Sequence, residues 1–244
     1  MKAKKQAYRW GMYLLGLLFL ALGITLNTKC GLGVSPIISV AYSAALILKL
    51  RVGDTTMVLY AAFVVVELVI HAVHRCKARQ YVLDLLQLAF SVVFTRLINV
   101  FSVYIPQLDT DFAGRWQGSL PVRLLVLAVA IILTGIGAAL SLNMRLVPNP
   151  GDGVVQAVAD GIGKPVGFTK NCWDILMVVI SSGLTLALYS RIAGTPGQAF
   201  LSVIGIGTVL AVFGVGRVIA LFNRLTYTHM THRAGVTAPV KTNA

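Results

Sequence analysis

The chain has 244 residues, 57% of them hydrophobic and only 12% charged, with a mean hydropathy of +0.82. That balance excludes a soluble globular domain, and in so apolar a chain the net charge of +13 reads as lysines and arginines meeting anionic lipid head groups, not as a nucleic-acid surface. Cys30, Cys76 and Cys172 are odd in number and lack metal-ligand spacing, which excludes a disulfide framework or a zinc site.

The segment from Met1 to Arg9 is basic and precedes an apolar run from Leu14 to Leu26. No convincing small-residue cleavage site follows, and more apolar runs come after, so the pattern is that of a signal anchor. Those runs are Met57–Val73, Leu85–Ile105, Leu124–Leu142, Ile175–Tyr189 and Phe200–Phe222, with lengths suited to a hydrocarbon layer of about 30 Å. None alternates strictly between apolar and polar residues, so transmembrane helices are predicted and a barrel is not.

Two breaks interrupt this apolar sequence: Gly31-Leu32-Gly33-Val34-Ser35-Pro36 and Pro148-Asn149-Pro150-Gly151-Asp152-Gly153. Proline lacks an N–H donor and glycine lacks a Cβ, so the helix that ends near Met144 cannot continue through the second break. Pro150 suits the first turn of a new helix, and Asp152 puts negative charge at its positive end. A shift of 114 positions superposes Pro36 on Pro150, Gly23 on Gly137, and Val52-Gly53-x-Thr55 on Val166-Gly167-x-Thr169 without a gap. Further on, a shift of 121 pairs Arg96 with Arg217, Ile98 with Ile219 and Phe101 with Phe222, which implies a seven-residue insertion in the second copy.

Each copy holds a short segment between its break and its Val-Gly-x-Thr turn, Ile37–Leu50 in the first and Gly153–Gly163 in the second. Both fall below the roughly 20 residues that span a bilayer, so they are read as half-membrane helices that enter and leave on one side. Three true crossings per copy is an odd number, which turns the second copy upside down relative to the first. The predicted fold is therefore an all-α polytopic membrane protein made of two inverted repeats, each with three transmembrane helices plus one short half-membrane helix. Its parts are a cytoplasmic basic N-terminus (1–10), a first membrane repeat (11–105), an extracytoplasmic connecting loop (106–123), a second repeat (124–222) and a flexible cytoplasmic tail (223–244). Clusters of Lys and Arg at Lys2–Arg9, Arg75–Arg79, Arg145–Lys170 and Arg224–Lys241 favour both termini in the cytoplasm. An eight-crossing alternative keeps the termini there but moves the His74-Arg75-Cys76-Lys77-Ala78-Arg79 cluster outside, a worse violation of the charge bias.

The first break with its later Val52-Gly53-x-Thr55 resembles the YczE/YitT-type bacterial integral membrane proteins. So does Pro150-Gly151-Asp152-Gly153-Val154-Val155-x-Ala157, followed by Gly163-Lys164-x-Val166-Gly167. The likeness runs from about Leu14 to Phe222 and lacks the soluble C-terminal domain of the longer members. It implies a multi-pass protein of a bacterial plasma membrane and supplies no catalytic residue.

Several polar residues stand in apolar surroundings. Arg96 lies twelve residues beyond Asp84, roughly 18 Å along a helix axis, where an arginine costs at least ~2.5 kcal/mol unless it faces a bundle interior or a watery cavity. Arg217 is its counterpart, nearer the cytoplasmic end, where snorkelling to the interface competes with a functional role. Glu67 sits inside Val64-Val65-Val66-Glu67-Leu68-Val69-Ile70, and two readings stay open for it. It either pairs with Arg96 to neutralise both, or acts as a proton carrier or cation ligand, with His71 one turn further on the same face. Asp152 is a helix cap or a ligand, and Asp174 pairs with Lys170 four residues earlier or faces a cavity. Ser35 at the first break completes the candidate substrate-binding set.

No HExxH, Walker loop or GxSxG occurs, and Ser35 and the four histidines show no nucleophile–base spacing, so no catalytic, cofactor or metal residue is predicted. The expected partners are membrane lipids and a small-molecule solute, with a homo-oligomer left open and nucleic acid excluded. The function expected is that of a secondary transporter or channel-like permease for a small polar solute. Two arginines and two short-helix N-termini predict an anionic group on it. A reading from a different class is a non-transporting membrane partner that stabilises or regulates another membrane complex.

Overall fold

The computed structural model describes residues 2–164 and 166–235. Among them are nine α-helices: α1 (Lys2–Lys29), α2 (Pro36–Leu48), α3 (Val52–Val73), α4 (Ala78–Tyr104), α5 (Leu120–Asn143), α6 (Pro150–Ile162), α7 (Val166–Ala187), α8 (Pro196–Val203) and α9 (Ile206–Ala234). Short 3₁₀ turns sit at Trp116–Gly118 and Tyr189–Arg191, and no strand occurs among the described residues.

Four single helices, α1, α3, α4 and α5, and the α8–α9 stretch are long and apolar enough to cross a membrane. Helix α7 has 22 residues, a span of roughly 33 Å at 1.5 Å per residue, but Lys170, Asn171 and Asp174 in its first half lower its hydropathy. The run Phe200–Phe222, expected as one crossing, is in fact broken at Ile204 and Gly205, where Gly205 is extended with φ −151. Helix α9 also runs past Phe222 to Ala234, so the first part of the expected tail is helical. Residues 236–244 of that tail lie outside the described residues.

The Pro/Gly punctuation sets the short helices. α2 and α6 have 13 residues each, start on Pro36 and Pro150, and stop on a left-handed residue, Lys49 at φ 55 and Gly163 at φ 64. In both, the capping N–H returns to a carbonyl one turn back, that of Ala45 or Ala159, which satisfies one of the carbonyls a helix end leaves free. α3 and α7 have 22 residues each. All four helices therefore keep the 114-residue spacing at both ends.

Each short helix packs against the other half of the chain: α2 lies along α7, and α6 along α3. Hydroxyls join α2 to α7, with Ser43 Oγ 2.8 Å from Ser181 Oγ and 3.1 Å from Thr185 Oγ1, while Ser39 donates to the Met177 carbonyl at 3.3 Å. Helices α1 and α5 form the most extensive contact in the molecule, across Gly16 and Gly23 on one side and Gly137 on the other. At one end of this pair Arg9 donates to the Met144 carbonyl at 2.9 Å and so ties down the C-terminus of α5. At the other end Arg123 donates to the carbonyls of Cys30, at 2.7 Å, and Gly31.

The first break docks into the gap between α8 and α9. Val34 donates its N–H to the Val203 carbonyl at 2.9 Å, and Gly207 donates to the Leu32 carbonyl at 2.6 Å. Gly33, at φ 96, lies so close to Gly205 that a Cβ on it would meet the Gly205 backbone. Buried non-helical backbone needs such partners, since a buried N–H or C=O left alone costs free energy comparable to a lost hydrogen bond. Around these joints the buried core is built on Tyr13, Tyr60, Phe63, Phe94, Ile98 and Val154, while the outward faces of α3, α4 and α9 are rich in exposed Val, Leu and Ile, as lipid-facing helices are.

Candidate functional site

The N-termini of α2 and α6 meet inside the helix bundle, where the Ile37 side chain rests on Gly151. Beside that meeting point is a cavity of about 680 Å³, walled by residues of α1 to α7 and α9. Ser35 and Pro36 from the first break line it, and so do Asn149, Asp152 and Gly153 from the second. The side chain that caps α6 is that of Asn149, which accepts from the Gly151 N–H at 3.3 Å. Asp152 is left in the first turn, where its charge complements the helix dipole while its side chain faces the cavity.

Four of the six residues singled out from sequence, Ser35, Glu67, Asp152 and Asp174, are thus brought together, and two are not. Arg217 is exposed on α9 and does not line the cavity. Arg96 does not pair with Glu67. It reaches Asp54, in the first turn of α3, with 3.3 Å between Nη1 and Oδ1, and the two side chains are 67% and 42% exposed. An exposed pair of this kind contributes about 0–1 kcal/mol. Arg96→Gln is accordingly expected to shift the unfolding midpoint of the purified protein by less than about 3 °C, and a fall several times larger would show that this pair holds α3 to α4.

Glu67 is only 1% exposed. Its Oε2 accepts from Gln87 Nε2 of α4 at 2.7 Å. One turn away on both helices, His71 Nδ1 and Asp84 Oδ2 are 2.7 Å apart, and both residues are buried. The Tyr81 hydroxyl donates to the His71 carbonyl at 3.0 Å. The pairs repeat because Glu67 and His71 are four residues apart on α3, and Asp84 and Gln87 three apart on α4, so both sets share one face of their helix. Gly153 of α6 closes over the upper pair: a Cβ there would stand 2.8 Å from Gln87 Oε1 and from both Glu67 carboxylate oxygens. On the opposite wall Lys170 pairs with Asp174 and both line the cavity, so the two readings left open for Asp174 hold together.

Asp84, Gln87, Asp160 and Asn149 are site residues that sequence reasoning missed. A signal for the first two was present. Asp84, Gln87, Ser91, Thr95 and Asn99 form a polar stripe at helical spacing along α4, every member buried toward the bundle.

The two Val-Gly-x-Thr turns differ in their surroundings. At the start of α3 the turn is sealed by α4: Gly53 donates its N–H to Asn99 Oδ1 at 2.9 Å, and a Cβ on it would meet the Thr95 carbonyl. At the start of α7, Gly167 has no described residue within 4 Å of such a Cβ and lines the cavity with Val166 and Lys170. The cavity is open beside one turn, and its counterpart is closed.

Long apolar helices, two short helices meeting inside the bundle and a largely apolar cavity with a few charged side chains at their junction define a multi-helix membrane protein. Residues 7–224 match a family of unknown function, DUF6198, and the chain belongs to that family. The resemblance to YczE/YitT-type proteins stays at the level of the two turn motifs, since this match does not name them. No curated protein and no solved structure matches the chain.

Proposed function

We propose that the protein is a secondary transporter or permease for a small polar solute in a bacterial plasma membrane, with both termini cytoplasmic. The observation that carries this reading is the cavity at the meeting of the two short-helix N-termini, open beside Gly167 and closed beside Gly53. Inverted repeats give such a pair of equivalent positions, and alternating access requires one to be closed while the other is open. The equal lengths of the short helices and their reciprocal packing, α2 on α7 and α6 on α3, support the inversion.

The expected anionic group rested on Arg96, Arg217 and the two short-helix N-termini. With both arginines away from the cavity, only the N-termini still favour an anion, against the acidic side chains of Glu67, Asp152, Asp160 and Asp174, with Lys170 held by Asp174 and His71 by Asp84. That balance favours a solute with a positively charged group, because a low-dielectric wall of one sign concentrates the opposite charge.

The test is flux into vesicles reconstituted with the purified protein, using panels of small amines, zwitterions and carboxylates. Amine flux is expected, slowed at least about tenfold in Asp152→Asn, an effect of ~1.4 kcal/mol or more on the limiting step. Carboxylate flux alone would overturn the charge assignment. Folded protein that moves none of the three classes would overturn the transport reading and favour a non-transporting partner.

A further inference from the structure

The Glu67–Gln87 pair contains an imbalance. Gln87 Nε2 donates to Glu67 Oε2, yet Glu67 Oε1 and Gln87 Oε1 are both buried and both without a hydrogen-bond partner. Each lies 2.8 Å from the position a Gly153 Cβ would take, so the two oxygens are held against the same spot. An ionised carboxylate and an amide carbonyl are both acceptors, and two buried acceptors facing one spot leave both unsatisfied. A single proton on Glu67 Oε1 resolves this. The carboxylic acid then donates to Gln87 Oε1 while Gln87 Nε2 donates to Glu67 Oε2, closing a ring of two parallel hydrogen bonds.

The groups around the pair point the same way. From α4, Asp84 is engaged by His71 of α3. From α6, Asp152 precedes Gly153, with Asp160 two turns on, and both line the cavity. From α7, Lys170 is held by Asp174. Helix α2, the remaining element packed on α3, carries no charged residue. Among the described residues no Lys, Arg or His forms an ion pair with Glu67. A carboxylate there would be buried without a counter-charge and beside other acids, a state that burial disfavours strongly.

We propose that Glu67 is a proton-binding residue, held in its protonated form against Gln87 in the cavity wall, and that its proton is exchanged for a cationic solute. The exchange rests on the transport reading above; the proton site does not. In the balanced step the O–H bond at Glu67 Oε1 breaks, the proton passes to water in the cavity, and the carboxylate left behind becomes the counter-ion of the incoming ammonium group. Departure of the solute returns a proton to Oε1.

Infrared spectroscopy of the purified protein in light and heavy water reads the site directly, without solute or flux. At neutral pH a protonated-carboxyl carbonyl band is expected, lost in Glu67→Gln and retained in Asp152→Asn. In Gln87→Leu it should move to higher frequency, because the carbonyl loses its amide donor. The double variant Glu67→Gln/Gln87→Glu keeps the acid–amide ring with the acid on α4 and is expected to restore the band, which preserves the test if Glu67→Gln alone fails to fold. A wild-type spectrum without the band, or a band unchanged in Glu67→Gln, overturns the proton site. Addition of primary and quaternary ammonium salts is expected to diminish the band, and a band indifferent to all of them overturns the exchange. If the band behaves as expected but vesicles show no flux, the transport reading fails and the proton site stands.

Discussion

Replacement of Gly137 by valine is expected to leave little folded protein. A Cβ at this position would meet the Leu20 amide nitrogen, and it would stand 2.7 Å from the Gly16 carbonyl and 2.9 Å from Leu20 Cα. All three are backbone atoms of a neighbouring helix, which cannot rotate out of the way as a side chain would. Helices in a bilayer gain no hydrophobic advantage from leaving lipid for one another, so their association depends on close packing at small residues. Forcing α1 from α5 therefore removes the main source of cohesion in the largest helix contact of the molecule. Overpacking alone costs about 1–3 kcal/mol, which lowers an unfolding midpoint by about 2–12 °C in a chain of this size, and rigid neighbouring backbone raises that cost. Gly183→Val is the matched control, since nothing lies within 4 Å of a Cβ there, and its midpoint is expected to stay within about 2 °C of wild type. Size-exclusion profiles and thermal unfolding of the two variants side by side check the expectation. Equal behaviour would mean that the α1–α5 crossing is not what holds the halves together.

Under the transport proposed above, Gly153→Val is expected to abolish amine flux while sparing the fold. The atoms that a Cβ would strike, Gln87 Oε1 and both oxygens of Glu67, are the ends of side chains, and they can yield where backbone cannot. They yield by separating, which breaks the 2.7 Å bond between Gln87 and Glu67 and pushes the carboxyl out of its place in the cavity wall. The valine methyl groups also occupy space beside Asp152. We expect unfolding midpoints about 2–12 °C below wild type, from an overpacking cost of ~1–3 kcal/mol, and a fall in amine flux of at least about a hundredfold. Gly167→Val meets open cavity and no neighbour, so it narrows the mouth and leaves the acid–amide pair intact. Wild-type flux in Gly153→Val would remove the pair from the mechanism.

Much of the fold was legible because proline and glycine act locally. Pro36 and Pro150 fix where the short helices start, and the same spacing carries through to their left-handed stops at Lys49 and Gly163. The break at Ile204 and Gly205 was not legible, since hydropathy runs smoothly through it and its cause is a distant segment, Leu32 to Val34, docking its backbone there. Glu67 stood out as an acid in an apolar run, but its partner did not. Position along α4 gave the distance of Arg96 from the helix start, not the direction of its side chain. Whether it faced α3, the bundle or the lipid depends on rotation about the helix axis, and a single charged side chain does not report rotation. The buried stripe from Asp84 to Asn99 does report it, and that stripe turns Gln87, not Arg96, toward Glu67.

The clasp between the first break and the α8–α9 gap bears on the order in which the protein is made. The N–H of Val34 and the C=O of Leu32 emerge from the ribosome before α2, yet their partners, Val203 and Gly207, are synthesised only with α8 and α9. Until then the loop before α2 carries polar backbone groups that lipid cannot satisfy, at a cost of several kcal/mol for each one exposed to hydrocarbon. The clasp can therefore close only after α8 and α9 have been made, late in the assembly of the helix bundle.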